Sequence, residues 1–430
     1  MKQVIFILLF LFNTLSSEEI KSIRYLKPNG SLSEVSDLVI ENGFISRITE
    51  SKPKDTIRYI LPSFCDANVT LGVNPAGGDQ DRKSLETSLK AFLAFGFTHI
   101  QSIADGPWIQ KVKSDIDSGK LVGPKITIAQ RPLLAKSKET KDISNQLYFV
   151  TENKEALQTE LNAQLNAFNK TIHIFNRHNE DSSLLFDSEL LLDLRLSSEA
   201  KNKRITIHTF GDRISILDSL ISGNRYLAHP IPNDMNREIA RQHIQEMHLM
   251  PMLNVYQNLH LNADSDGIDE LNYLKKKSKF FTDYFAASYE SALKLELEEI
   301  EIQTRKKEFK SYIDFLKTHP ILKEKMILGS GSGNRLSFAG VSGMQELRIL
   351  AKAFDTNEIF MIPTKNTCEY LGGSYRGLIQ VGEEANIILV KENPTKNLET
   401  LFQIEKVYLN GKAVTLYLPE PVKKKPFRKK

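Results

Sequence analysis

No apolar run in these 430 residues approaches the roughly 20 needed to cross a bilayer. The nearest is Val4–Phe12, preceded by Lys2 and followed by Asn13–Ser17 and the acidic Glu18 and Glu19. A basic start, a short apolar core and small residues before a polar stretch describe a secretory signal peptide rather than an anchor. The expectation is an exported protein, periplasmic or extracellular, cut near Ser16 or Ser17. No cysteine follows the apolar run, so nothing supports lipid attachment there. Charge of one sign is also scarce. The net charge is +4, and much of the excess lies in the basic tail, residues 420–430. Without that tail the chain is near neutral, which leaves no general case for nucleic-acid binding. The tail reads as a solvated terminus, with adhesion to an anionic surface as the sharper alternative. Only two cysteines occur, Cys65 and Cys368. An exported chain could pair them. Cys65 lies within an apolar strand, however, where a small buried thiol is the expectation. No repeat of 20–50 residues is present.

What is present is the composition of an ordinary globular protein, 41% hydrophobic and 26% charged. The length suits two or three domains, or one barrel with an accessory domain. Residues 18–62 read as short strands, with Glu41-Asn42-Gly43 as a hairpin turn. Residues 377–419 read the same way, and the two ends together predict one small β-sandwich. Between them, residues 63–376 alternate short apolar strands with helices, the pattern of a parallel α/β fold. Eight strands are expected: Phe64–Thr70, Thr98–Ile103, Ile126–Ala129, Ile172–Phe175, Ile205–His208, Tyr226–His229, Met250–Leu253 and Met326–Gly329. Eight units of this kind fit a (β/α)₈ TIM-type barrel, whose chemistry sits at the C-terminal strand ends. A charged helical insertion spans about residues 281–317 and is expected to cap the barrel as a surface pair.

Two groups of residues stand at those strand ends. Ile60–Gly72 reads as a buried strand that turns Asn68 and Thr70 to the same side. Asn68-Val69-Thr70 is also a glycosylation sequon, discounted because a buried strand is no acceptor. The second group is His173, His208 and His229, which fall on three successive strands. Neutral imidazoles are good zinc ligands, and three of them with an open position resemble a catalytic zinc site. A single strand-end histidine is more often a hydrogen-bonded core residue.

The order of several short motifs carries a resemblance. Pro62-x-Phe64-x-Asp66, Gly96-Phe97-Thr98, Gly123-Pro124-Lys125, His208, His229, Leu328-Gly329-Ser330-Gly331-Ser332-Gly333-Asn334 and Ala385-Asn386-Ile387-Ile388-Leu389 follow one another as in the amidohydrolase superfamily. The chain resembles the imidazolonepropionase- and dipeptidase-like branch of these metal-dependent hydrolases. The resemblance implies hydrolysis of non-peptide or dipeptide C–N bonds with divalent metal. It also marks departures. Asn68 and Thr70 stand where the family carries two metal-binding histidines, and Gly331 stands where it carries the aspartate that accepts the proton of the attacking water. Amide and hydroxyl groups are poor zinc ligands beside imidazole, and glycine offers no base. Asp66 and Asp105 are candidate replacements. No confident catalytic residue follows. Whether the chain is an enzyme is left open between three readings: an eroded, inactive or impaired hydrolase that binds a small-molecule ligand; a working mononuclear enzyme with one zinc or other divalent ion on His173, His208 and His229; and a non-catalytic surface-binding protein. The cofactor is one such ion or none, and the oligomeric state is unassigned.

Overall fold

The computed structural model describes residues 17–415, except 54, 139, 141–145, 168, 179–180, 183, 236–241, 263–264, 279–280, 282 and 295–296. The expected signal peptide, save Ser17, and the basic tail lie outside the described residues. Among those residues no helix is long and apolar enough to cross a membrane.

The first four strands are β1 (Ser17–Tyr25), β2 (Ser36–Glu41), β3 (Phe44–Glu50) and β4 (Arg58–Pro62). Asn42 and Gly43 both have positive φ, as a tight hairpin between β2 and β3 requires. Nine strands then belong to the middle of the chain: β5 (Phe64–Val69), β6 (Phe97–Ser102), β7 (Lys125–Ile128), β8 (Leu133–Ala135), β9 (Phe149–Thr151), β10 (Thr171–Phe175), β11 (Arg204–His208), β12 (Tyr226–Ala228) and β13 (His248–Met250). The last three are β14 (Ile387–Val390), β15 (Lys406–Leu409) and β16 (Lys412–Ala413). Both ends of the described chain meet in one sheet, ordered β16-β15-β14-β4-β1-β2-β3. The parallel β1–β4 pair and the antiparallel β4–β14 pair make that join. It is one continuous hydrogen-bonded sheet. Its apolar layer includes Ile23, Leu38, Ile45, Ile60 and Ile387.

The middle strands form two parallel sheets, β5-β6-β7 and β13-β12-β11-β10-β8-β9. The eighth expected strand is not assigned as one, yet its chain lies between β13 and β5. Ile327 N–H donates to Leu249 O at 2.9 Å, and Ala67 N–H donates to Leu328 O at 2.9 Å. The third stave is in two pieces. β7 pairs with β6, and after Pro132 the chain resumes as β8, which pairs with β10. Proline has no N–H to offer a ladder, which fits a break at that point. The seventh expected strand also ends early. It stops at Met250, and Met252 turns through a left-handed conformation, φ 51°, into the helix Leu253–Asn258. The expected insertion is two helices, Asp283–Leu293 and Glu299–Thr318.

Gly96 shows how closely the layers meet. It has φ +80°, and a Cβ there would come within 2.4 Å of Ile388 Cδ1 on β14. The cysteines correct the expectation from sequence. Cys65 on β5 and Cys368 on the helix Thr367–Leu371 form a disulfide, with Cα atoms 5.3 Å apart. Both residues are buried, but in the same apolar cluster, so burial brings the two sulfurs together.

Candidate functional site

The three strand-end histidines do come together. His173 on β10, His208 on β11 and His229 just past β12 are all buried. His173 Nδ1 and His208 Nε2 are hydrogen-bonded at 3.0 Å, and His208 Nδ1 and His229 Nε2 at 3.3 Å. Tyr256, on the helix Leu253–Asn258, extends the line with its hydroxyl 2.9 Å from His229 Nδ1. Burial alone lowers the pKa of His173 and His229 to about 3. Burial also lowers His208 well below its usual value, with the two neighbouring imidazoles as lesser causes. All three rings are therefore neutral at physiological pH.

Neutrality makes the chain run one way throughout. A neutral imidazole has one donor and one acceptor nitrogen, and a phenol hydroxyl can do either. With Tyr256 as donor to His229 Nδ1, His229 Nε2 donates to His208 Nδ1 and His208 Nε2 to His173 Nδ1; with Tyr256 as acceptor every bond reverses. His173 Nε2 is left as the end, buried and without a partner among the described residues. This order conflicts with a shared metal ion. A three-histidine ion needs three nitrogen lone pairs converging at about 2.0–2.1 Å. Both nitrogens of His208 and of His229 are already engaged here, and they lie on opposite sides of their rings. Among the described residues, no group of three or more His, Cys, Asp or Glu has an arrangement that could hold a metal. As arranged, these residues do not fit such an ion.

The substituted positions are packed rather than vacant. The Asn68 side-chain amide lies 3.4 Å from Met252 Sδ, and the Thr70 hydroxyl donates to Ile103 O at 2.9 Å. Asn68 is only 7% exposed, in keeping with the discounted sequon. At Gly331, φ +61°, a Cβ would meet Val255 Cγ2 at 2.3 Å and Met252 Cε at 3.1 Å. The space in front of the strand-eight position thus belongs to Met252 and Val255, members of an apolar cluster with Met250, Ala67 and Ala228. Methionine suits such irregular gaps because its unbranched thioether adapts.

The two candidate bases are held elsewhere. Asp66 Oδ1 accepts the N–H groups of Asn68 and Ser330 at 3.1 and 3.0 Å. Burial raises its pKa to about 6, against these hydrogen bonds. Asp105 accepts from Leu71 N, Gly72 N and the Ser102 hydroxyl. Burial raises it too. Both act as main-chain anchors, and neither has a hydrogen bond to the imidazoles.

Sequence reasoning missed Tyr256, Met252 and Glu346. Glu346 is fully buried on the helix Val341–Leu350 and accepts Leu253 N and Asn254 N at 3.0 and 2.6 Å. Burial pushes its pKa up to about 8. Nothing in the linear pattern marks these three. The only available signal was that Met252 and Tyr256 follow a barrel strand. The expected cap is also in contact with the site, because Tyr312 of the Glu299–Thr318 helix packs edge-on against Tyr256, ring centres 5.2 Å apart.

The sequence pattern of the amidohydrolase family matches residues 90–414. The chain belongs to the amidohydrolase family. Its fold has solved counterparts at low identity. A Xaa-Pro dipeptidase with bound methionine in the active site is 16% identical, with a TM-score of 0.68 over 93% of this chain and 100% of that one. The ochratoxinase of A. niger is 15% identical, TM-score 0.67, over 93% and 95%. A molinate hydrolase is 13% identical, TM-score 0.65, over 94% and 95%. None of the curated proteins compared matches the chain. The amidohydrolase family and these counterparts give the parallel strands their class, a TIM-barrel-type α/β fold.

Proposed function

We propose that this amidohydrolase-family protein has lost metal-dependent hydrolysis and acts as an exported, non-hydrolytic binding protein. The observation that carries the reading is the imidazole line. His208, central to any shared ion, spends both ring nitrogens on its neighbours. The filling of the Gly331 position by Met252 and Val255 supports it from the opposite wall. A carboxylate cannot enter there, so the usual proton acceptor has neither a residue nor room. Export is supported by the Cys65–Cys368 disulfide, since such bonds persist in oxidising compartments.

Metal analysis of the purified protein tests the reading. The expected result is far less than one zinc, manganese or iron per chain, and no hydrolysis of Xaa-Pro dipeptides after zinc is added. Near-stoichiometric zinc that disappears in His208→Ala would overturn it. One observation favours the second reading, a mononuclear enzyme. Three neutral imidazoles already stand on adjacent strand ends, and rotation of the His208 and His229 rings would free lone pairs. The same metal measurement separates the two. For export, N-terminal sequencing of the mature protein should begin near Glu18, and an intact Met1 would refute it.

A further inference from the structure

The break in the third stave leaves a cleft of about 540 Å³ in the barrel wall, within the range of roughly 300–1,000 Å³ typical of small-molecule sites. A barrel wall is ordinarily filled by branched apolar side chains. This cleft adds carboxamides and cations to its apolar lining, among them Gln110, Gln130, Asn169, Lys113, Lys125 and Arg131.

The gap is held open by side chains. No ladder joins β7 to β10. Asn169 stands in for the missing strand, its amide donating to Ile128 O at 2.7 Å, while the Gln130 amide donates to Asn169 Oδ1 at 3.2 Å. The charged groups of the lining differ in what already engages them. Asp105, the one acid in the lining, has its oxygens occupied by two main-chain N–H groups and the Ser102 hydroxyl. Arg131 pairs with Glu160 at 3.0 Å and Lys113 with Asp117 at 2.7 Å. Lys125 has no carboxylate partner among the described residues.

We propose that this cleft binds a small organic anion, a carboxylate flanked by neutral hydrogen-bonding groups. Lys125 supplies the cation that has no carboxylate partner among the described residues. The carboxamides, each donor and acceptor at once, recognise the flanking amide or hydroxyl groups. The site is separate from the imidazole line and independent of any metal there.

Calorimetric titration tests it with N-acetylglycine and D-glucuronate as carboxylate probes. N-acetylglycinamide and D-glucose are their neutral counterparts. The expected result is that one carboxylate probe binds at least about tenfold more tightly than its counterpart. Which probe binds tells an amide-flanked from a hydroxyl-flanked ligand. Lys125→Glu should weaken that binding at least about tenfold with unchanged far-UV circular dichroism. If Lys125→Glu does not fold, Lys125→Met carries the same expectation. The proposal is overturned if neither carboxylate probe binds at about 10 mM, if the neutral counterpart binds as tightly, or if the folded Lys125 variant binds like the parent chain.

Discussion

Tyr256 is the residue that anchors the imidazole line, because its hydroxyl is the partner of the end nitrogen, His229 Nδ1. Tyr256→Phe leaves His229 Nδ1 buried without a partner, at a cost of about 1–3 kcal/mol. Urea denaturation should show a lower midpoint with an unchanged slope. An unchanged midpoint would mean the line is not held from that end. Gly331 makes the opposite point. Restoring an acid by Gly331→Asp forces a side chain onto Val255 at a backbone φ of +61°. The variant should be less stable and should gain no zinc. Zinc uptake by Gly331→Asp would show that the centre is dormant rather than rebuilt. The sequence displayed Asn68, Thr70 and Gly331 as missing ligands, since those are absences at fixed places. It could not display Met252 and Val255 as their replacements. Their side chains reach the spot because the seventh strand ends three residues early, at Met250.

That early end is a feature of elements. Met250 closes β13, Met252 adopts a left-handed conformation, and a six-residue helix begins at once. Its first N–H groups have no intrahelical partner, and Glu346 from a distant helix accepts two of them. Glu346→Ala leaves both buried and unpaired, each costing about 1–3 kcal/mol. Hydrogen exchange at Leu253 and Asn254 should accelerate more than in the rest of the core, and equal protection in the variant would exclude the capping role. Alternation of strand and helix made the staves readable, and the first six began and ended within about a residue of expectation. The rest was hidden where the ladder is discontinuous. The third stave is split around Pro132, and the eighth holds its place through single hydrogen bonds to β13 and β5 rather than a regular ladder.

For the whole molecule, buried titrating groups set the response to pH. His99, His173 and His229 are held near about 3, His248 near about 4, and His208 well below its usual value, with burial the first cause in each. Below pH 6.5 the unfolded chain takes up protons that these folded imidazoles refuse, so acid destabilises. Asp66 and Glu346, raised to about 6 and about 8, act in the opposite sense. Each keeps a proton that the unfolded chain releases, so their contribution is lost as pH rises through 3.8–6 and 4.5–8. Five imidazoles outweigh the raised carboxyls on the acid side, and Glu346 prevails only above about pH 7. The melting temperature should peak near about pH 7 and fall more steeply toward acid. A profile flat down to pH 4 would contradict these burials. The disulfide acts at the same scale, and its position has a consequence for damage. Cys65 and Cys368 are 303 residues apart, so nearly the whole barrel lies inside one covalent loop. A protease that cuts anywhere between them opens that loop without releasing either piece. The nicked protein should run as one band on a non-reducing gel and as two after thiol is added, so a single cut leaves the two halves in register to re-form the barrel.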